Sequence, residues 1–278
     1  MRIPSFALDH IVVFVEDLRR ASEDYAALGF RVMPGGVHAG GVTHNALVPF
    51  ADGTYLELLA PTAGWRLSAM RLLGGTAVGA VVTRQSPMLR RAARRIKAGE
   101  GLVDFALRSS PLADALKAAT DAGGMDGPVS GGRVRPDGQE ITWEAVFPKM
   151  AALPFLIEDG TPRNLRVPEP VAHANGAAGV HAVTVVTSSF DRTVAQYQAL
   201  LGREPFETVA PVPRSFAVEF RLEGALIRVL APIGTIHPLR PHLARRGDGI
   251  LGVILRADRA ANLDPARAHG AQITLARS

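Results

Sequence analysis

Residues 8–15, LDHIVVFV, are an apolar run rich in β-branched side chains, the pattern of a strand. The next stretch, EDLRRASEDYAALGF, switches to helical spacing and stops at Gly29 in the manner of a C-cap. A turn-rich connection, RVMPGG, follows. THNALVPF and TYLELLAP, parted by Ala51, Asp52 and Gly53, then read as a strand followed by a hairpin. The order is β-α-β-β-β.

That order returns at GVHAVTVVTS, SFDRTVAQYQALLG, FETVAP, AVEFRL and ALIRVLAP. His10 to Glu57 and His181 to Arg228 are both separations of 47 residues, which suggests one register for first strand against last strand in both copies. GTYLELLAP (53–61) and GALIRVLAP (224–232) keep the same frame, yet Glu57 faces Arg228. A looser copy lies between them, from GLVDFALRSS (101–110) through PLADALKAATDAGG to ITWEAVF and LPFLIED. A fourth begins at GILGVILRAD (249–258) and reaches only its second strand before Ser278. The segment 66–98 is basic and mostly helical in pattern. TPRNLRVPEPVAHANGAAG (161–179) is the best linker, so two domains are expected, 1–165 and 166–278, each of two modules.

Composition narrows the chemistry. With 278 residues, 47% apolar and 21% charged, the chain is globular in type. It has no cysteine, so disulfides, thiolate metal sites and cysteine nucleophiles are excluded, and any metal must rest on His, Asp or Glu. No signal peptide or membrane span is evident, which makes the cytoplasm the expected location and the membrane no partner. The net charge of +5 is carried almost wholly by arginine. The basic clusters LRRAARRIK (89–97) and HLARRGD (242–248) lack interleaved aromatics, so they read as solvated helix faces and loops rather than a nucleic-acid surface. P-loop, Rossmann fingerprint and nucleophile elbow are absent from the sequence, which leaves no support for a nucleotide cofactor or a serine hydrolase.

Strand alternation sets His10 with Val12 and Phe14, and Glu57 with Tyr55 and Leu59. A carboxylate among apolar neighbours must be paired, protonated or bound to a cation. Arg228 attracts an anion instead: it either pairs with Glu219 or Glu223 or fixes an anionic ligand. His237 and His242, in HPLRPH, have the spacing of a metal pair, but two prolines argue for a surface loop.

Tandem modules of this order, with a first-strand His and a last-strand Glu, resemble the vicinal oxygen chelate superfamily. LDHIVVFVEDL, GGVHAGGVTHNALVPFADGTYLELLAP, GPVSGGRVRPDGQEITWEAVFP and LPFLIEDG resemble its glyoxalase-like domain family over about residues 7–163. The resemblance implies an α+β fold of tandem βαβββ modules, forming U-shaped mixed sheets with flanking helices around a cleft. It also implies a divalent metal (Fe, Mn, Ni or Zn) on His10 and Glu57, with Glu57 also the catalytic base. The glycine-rich segment carrying His38, His44 and Asn45, and SGGRVRPDGQ with Arg133 and Arg135, match the family as substrate-binding elements. The second module departs from the pattern: Val103 takes the histidine position, Asp104 is one residue off and faces away, and the frame of Glu158 and Asp159 is open. Leu251 takes that position in the fourth module. His10, Glu57 and His181 together make a two-His, one-carboxylate set if modules one and three face each other, within a chain or across a homodimer.

Two functions follow. One is a metal-assisted lyase, isomerase or dioxygenase acting on a small oxygen-rich molecule. The other is a metal-free protein that binds an aromatic or antibiotic-like ligand in a cleft lined by Trp65, Trp143, Tyr55 and Phe155. Ligated metal at His10 and Glu57 favours the first, and direct bonding between those two favours the second.

Overall fold

β1 (Ala7–Phe14) is buried along almost its whole length and passes into α1 (Leu18–Ala27), whose N-cap Asp17 accepts the Arg20 N–H at 3.0 Å. The computed structural model describes residues 6–62, 87–121 and 124–277, so Trp65 and much of the predicted insertion lie outside the described residues. β2 (Met33–His38), β3 (Thr43–Pro49) and β4 (Tyr55–Pro61) complete the first module. α2 (Pro87–Lys97) precedes the second, which comprises β5 (Gly101–Arg108), α3 (Leu112–Asp121), β6 (Met125–Val134), β7 (Glu140–Pro148) and β8 (Phe155–Asp159). A single helical turn, α4 (Arg163–Arg166), leads on to β9 (Gly179–Val186), α5 (Phe190–Leu201), β10 (Phe206–Glu207), β11 (Ser215–Arg221) and β12 (Leu226–Pro232). The last part holds α6 (Arg240–Arg246), β13 (Gly249–Ala257), β14 (Ala261–Asn262) and β15 (Ile273–Arg277).

The fold is α+β, with modules in pairs. In the first pair the U is closed: eight strands run β1-β4-β3-β2-β6-β7-β8-β5 and β5 returns to β1. The far seam, β2 to β6, is short, joining Val37 to Val134 and His38 to Arg133. It exists because Gly36 has no side chain; a Cβ there would stand 2.1 Å from the Val134 carbonyl oxygen. The RVMPGG connection and the glycine-rich segment are therefore not free loops, since β2 and β3 run through them.

The second pair is an open sheet, β10-β11-β12-β9-β13-β15-β14. β15 lies parallel to β13 as β8 lies parallel to β5, so the fourth module keeps its first and last strands with the two-residue β14 between them in the chain, rather than stopping at its second strand. One apolar cluster runs through both pairs, with Ile11 and Val13 of β1 in the same core as Val183 and Val185 of β9.

The pairing registers correct the sequence repeat. Val12 lies opposite Glu57 in β4, and Thr184 lies opposite Arg228 in β12. The counterpart of His10 is therefore Ala182, not His181. Both first strands carry a bulge that skips one residue, Asp9 in β1 and His181 in β9, so His181 stands where Asp9 stands. His181 is exposed, and the two-His, one-carboxylate set is not assembled. A second bulge pairs Asp104 with Val12, so Asp104 does not simply face away as strict alternation required.

The predicted linker is pinned to the first pair. His173 accepts the Arg31 N–H through Nδ1 at 2.9 Å and donates through Nε2 to the Pro49 carbonyl at 2.9 Å. Asn175 Nδ2 donates to the Leu28 carbonyl at 3.0 Å. Neither basic cluster is simply solvated. α2 lays Ala92 and Ile96 into the apolar cluster of the barrel interior, and its Arg95 is 2% exposed. Arg91 grips Asp104 with Nε to Oδ2 at 2.6 Å and Nη2 to Oδ1 at 3.2 Å, and donates to the Pro148 carbonyl at 2.7 Å. A guanidinium has five donors in a planar fork, which suits it to carbonyls that no strand or helix has used.

Candidate functional site

The inward faces of β1, β3 and β4 bring His10, Asn45 and Glu57 together inside the barrel, all buried. The His10 ring stacks on Tyr55 with centroids 4.7 Å apart and meets the edge of Phe155 at 5.4 Å. Val12, Phe14 and Leu59 fill the interior beside them, as period-two alternation requires.

His10 is held at both ring nitrogens by carboxylates, Nδ1 to Asp9 Oδ1 at 2.7 Å and Nε2 to Glu57 Oε2 at 3.4 Å. Asn45 Nδ2 donates to the other Glu57 oxygen at 2.7 Å, and His38 Nε2 lies 3.5 Å from that same oxygen. His38 Nδ1 is 2.9 Å from Thr43 Oγ1, and Trp143 presents its ring at right angles to His38, 6.0 Å away. Asn45 Oδ1 rests where a Cβ on Gly35 would be, 2.0 Å from it, which explains the glycine.

Behind His10 stands a second layer that sequence reasoning missed. Asp9 receives Arg166 on both oxygens, Nη1 to Oδ1 at 2.9 Å and Nη2 to Oδ2 at 3.1 Å, and also pairs with Arg163. Arg166 further binds Asp159 and donates to the Tyr55 hydroxyl at 2.6 Å. α4 delivers both arginines from the stretch read as a linker. The sequence signal was faint: an acid beside His10, and two arginines three residues apart.

These contacts fix the charges. Burial alone raises the Asp9 pKa, but Arg166, the His10 hydrogen bond and Arg163 overcome it and hold the group well below its ordinary value. Burial pulls His10 down, and the hydrogen bonds and charges of Asp9 and Glu57 reverse that, so its pKa rises above 6.5. Glu57 is pushed up by burial but carried down to about 2 by His10, His38 and Asn45. His38 is lowered, chiefly by burial, with Glu57 opposing and Arg133 assisting. The two carboxylates thus favour the imidazolium form of His10 between them.

Arg133 reaches the same interior from β6. It is 5% exposed, donates through Nη2 to the Arg166 carbonyl at 2.5 Å, and leaves Nε without a partner. Among the described residues it forms no ion pair. Among the described residues the orphaned buried side-chain atoms are Asn45 Oδ1, Arg133 Nε and Gln196 Oε1, and two of these three lie at this site.

The remaining expected residues lie elsewhere. His44 shares the outward face of β3 with Ala46 and Val48, both in the core behind the barrel. Arg135 pairs with Asp137 at 2.9 Å. Glu158 accepts from Ser110 Oγ at 2.8 Å and from the Leu112 N–H at 2.9 Å, at the start of α3. Arg228 belongs to the second sheet, where it meets Glu219 directly across β11 and β12 with Nε to Oε1 at 2.7 Å. The charge reversal between the repeats thus marks a cross-strand ion pair. His237 is buried, with Nδ1 accepting the Leu239 N–H at 3.1 Å, while His242 lies on α6; Pro241 fits the first turn of that helix, where no N–H is needed.

The fold family implies a divalent ion, and the donor set does not fit one. His10 Nε2 and the Glu57 carboxylate are turned on each other, and the other Glu57 oxygen is taken by Asn45, with His38 Nε2 also 3.5 Å from it. Among the described residues no group of three His, Asp or Glu is placed to hold a metal.

The chain matches the glyoxalase-like domain over residues 8–201, which extends past the barrel through β9 and α5. No protein of curated function matches it in sequence. A hypothetical protein from Staphylococcus aureus shares the fold with a TM-score of 0.68 at 15% identity, over 98% of this chain and 100% of that one. A triple-substituted 4-hydroxymandelate synthase from Streptomyces coelicolor has a TM-score of 0.60 at 14% identity, over 95% of this chain and 78% of that one. These likenesses establish the vicinal oxygen chelate fold, and with the match over residues 8–201 the chain belongs to the glyoxalase-like domain family.

Proposed function

We propose that the barrel interior binds a small oxygen-rich organic anion and moves a proton on it, so that the chain works as a lyase or isomerase on such a molecule. Arg133 carries this reading: a buried guanidinium with an idle Nε and no carboxylate partner, set beside His10 and Glu57. An unpaired buried charge is costly, and a ligand carboxylate or enolate oxygen removes that cost. Phe155 and Trp143 supply aromatic surface for the rest of the ligand.

The chemistry follows from the protonation states. His10, charged and fixed by Asp9, can give its Nε2 proton to an oxygen that gains negative charge when a neighbouring C–H is broken. The proton from carbon passes to Glu57. Held at about 2, Glu57 is a weak base at rest. Its basicity rises once His10 turns its donor to the ligand, because that donor is the main influence holding Glu57 down. Returning the proton to another carbon isomerises the ligand; if instead a β-substituent leaves with its bonding electron pair and takes the proton held on Glu57, while the ligand oxygen returns its proton to His10, the reaction is a lyase.

A second reading, sequestration without turnover, is favoured by the full occupation of Glu57 by His10 and Asn45. Nuclear magnetic resonance with a panel of 2-oxo and 2-hydroxy acids in D2O separates the two. Proton transfer requires exchange of a ligand C–H that disappears in His10→Asn, with binding weakened at least roughly tenfold in Arg133→Gln. Binding without exchange selects sequestration. No binding by any member overturns the assignment of the barrel as an organic-anion site.

A further inference from the structure

Away from the barrel interior, α6 and the starts of β5 and β13 line a half-open cavity of about 320 Å³. Neither His10, Glu57, Asn45 nor Arg133 lines it. Leu102, Ile250 and Leu251 form an apolar wall, and Arg245 and Arg246 a basic one, with His242 beside them as a neutral imidazole whose pKa burial and Arg246 lower to about 4.

The basic wall is satisfied in hydrogen bonds and unbalanced in charge. Arg246 donates through Nη1 to the Gly99 and Glu100 carbonyls at 3.3 and 3.1 Å, and through Nη2 to the Leu102 carbonyl at 3.0 Å. Arg245 gives Nε and Nη2 to the Ala98 carbonyl, at 3.2 and 2.5 Å. Carbonyls orient these guanidinium groups without cancelling their charge, and among the described residues neither arginine has a carboxylate within 4 Å. Glu100, on the same wall, spends Oε1 on His269 at 3.0 Å and on the Glu16 N–H at 2.8 Å. Burial first, and the neighbouring Arg245 second, lower the Arg246 pKa.

We propose that this cavity is a second binding site, for a small organic anion with a carboxylate or phosphate monoester on a compact apolar body. The oxyanion lies against Arg245, Arg246 and His242, and the body against Leu102, Ile250 and Leu251. Arginine positioned by main-chain carbonyls is ready for an oxyanion without further ordering.

Calorimetry on the full chain at fixed ionic strength tests this with benzoate, phenyl phosphate and inorganic phosphate, and sodium chloride as blank. At least one of the two organic anions is expected to bind saturably, one per chain, and inorganic phosphate more weakly for want of the apolar contact. Which organic anion binds more tightly distinguishes a carboxylate from a phosphate ligand. Arg246→Gln removes one cation but also three hydrogen bonds, so Leu251→Phe serves as the second variant, filling the cavity while leaving every cation in place. It is expected to weaken binding at least roughly tenfold. Arg133→Gln, which alters the barrel alone, leaves this binding unchanged. The proposal fails if neither organic anion binds saturably, if Leu251→Phe binds as the parent does, or if Arg133→Gln abolishes the heat.

Discussion

Arg166 clasps Asp9 with two parallel hydrogen bonds, at 2.9 and 3.1 Å, in a place where both side chains are almost completely closed to solvent. Through that clasp a residue of α4 decides the charge state of His10, because Asp9 is the acid on His10 Nδ1. Removing either member leaves the other buried with fewer partners, Arg163 and His10 for Asp9 and Asp159 for Arg166. Arg166→Met and Asp9→Asn are each expected to cost about 3–5 kcal/mol, and the double variant less than their sum. Urea unfolding of the three variants gives the numbers, and strict additivity would show that the pair is not coupled.

Glu57→Gln removes one of the two acids that keep His10 charged. The His10 pKa is expected to fall, while that of His38, already set mainly by burial, moves less. Titration of the imidazole resonances reads both, and an unmoved His10 would mean that Asp9 alone holds its proton.

Stability is expected to peak between two limbs. The Glu57 contribution is complete above its ordinary 4.5 and drains away as pH falls toward about 2. His10 works the other way: with a folded pKa above 6.5, its contribution is complete below 6.5 and is lost as pH rises through the folded value. Thermal melts carried from acid into alkaline pH should show both limbs, and Glu57→Gln should flatten the acid one.

Gly35→Ala drives a methyl onto Asn45 Oδ1 and should break the Asn45 to Glu57 bond at a cost of about 1–3 kcal/mol. A melting temperature equal to the parent's would show that the β2 backbone gives way instead.

With two donors facing each other, His10 and Glu57 should take up zinc or manganese well below one ion per chain. Elemental analysis after incubation and desalting checks this. One tightly held ion per chain, lost in both His10→Ala and Glu57→Gln, would make the pair a metal centre.

The parts of the site that were legible in the sequence are those that obey a period. Alternation placed His10 and Glu57 on the inner face with Val12, Phe14, Tyr55 and Leu59. Bulges have no such signature, for one skipped residue changes a count without changing composition. The equal spacing of His10 to Glu57 and His181 to Arg228 therefore pointed to the wrong partner, and Ala182 holds the equivalent place. Arg166 was hidden for another reason: its partners Asp9 and Asp159 lie on two different strands, and its own segment is rich in proline and carries no repeat. Gly35 and Gly36 read as turn formers, whereas their task is to let Asn45 and the β6 backbone come close.

α2 belongs to neither half alone. Its apolar edge enters the barrel, Arg94 donates to the Leu243 and Ala244 carbonyls, and Arg95 reaches the Asp248 carbonyl. The two module pairs are therefore not interchangeable cassettes, however clearly duplication shows in their strand order. A gene cut at the α4 turn would yield a front half in which Arg94 loses its Leu243 and Ala244 acceptors and Arg95 keeps the Val103 and Ala151 carbonyls but loses that of Asp248, and a back half with bare carbonyls. Recombination between members of this family should succeed only where the insertion and the back sheet are inherited together.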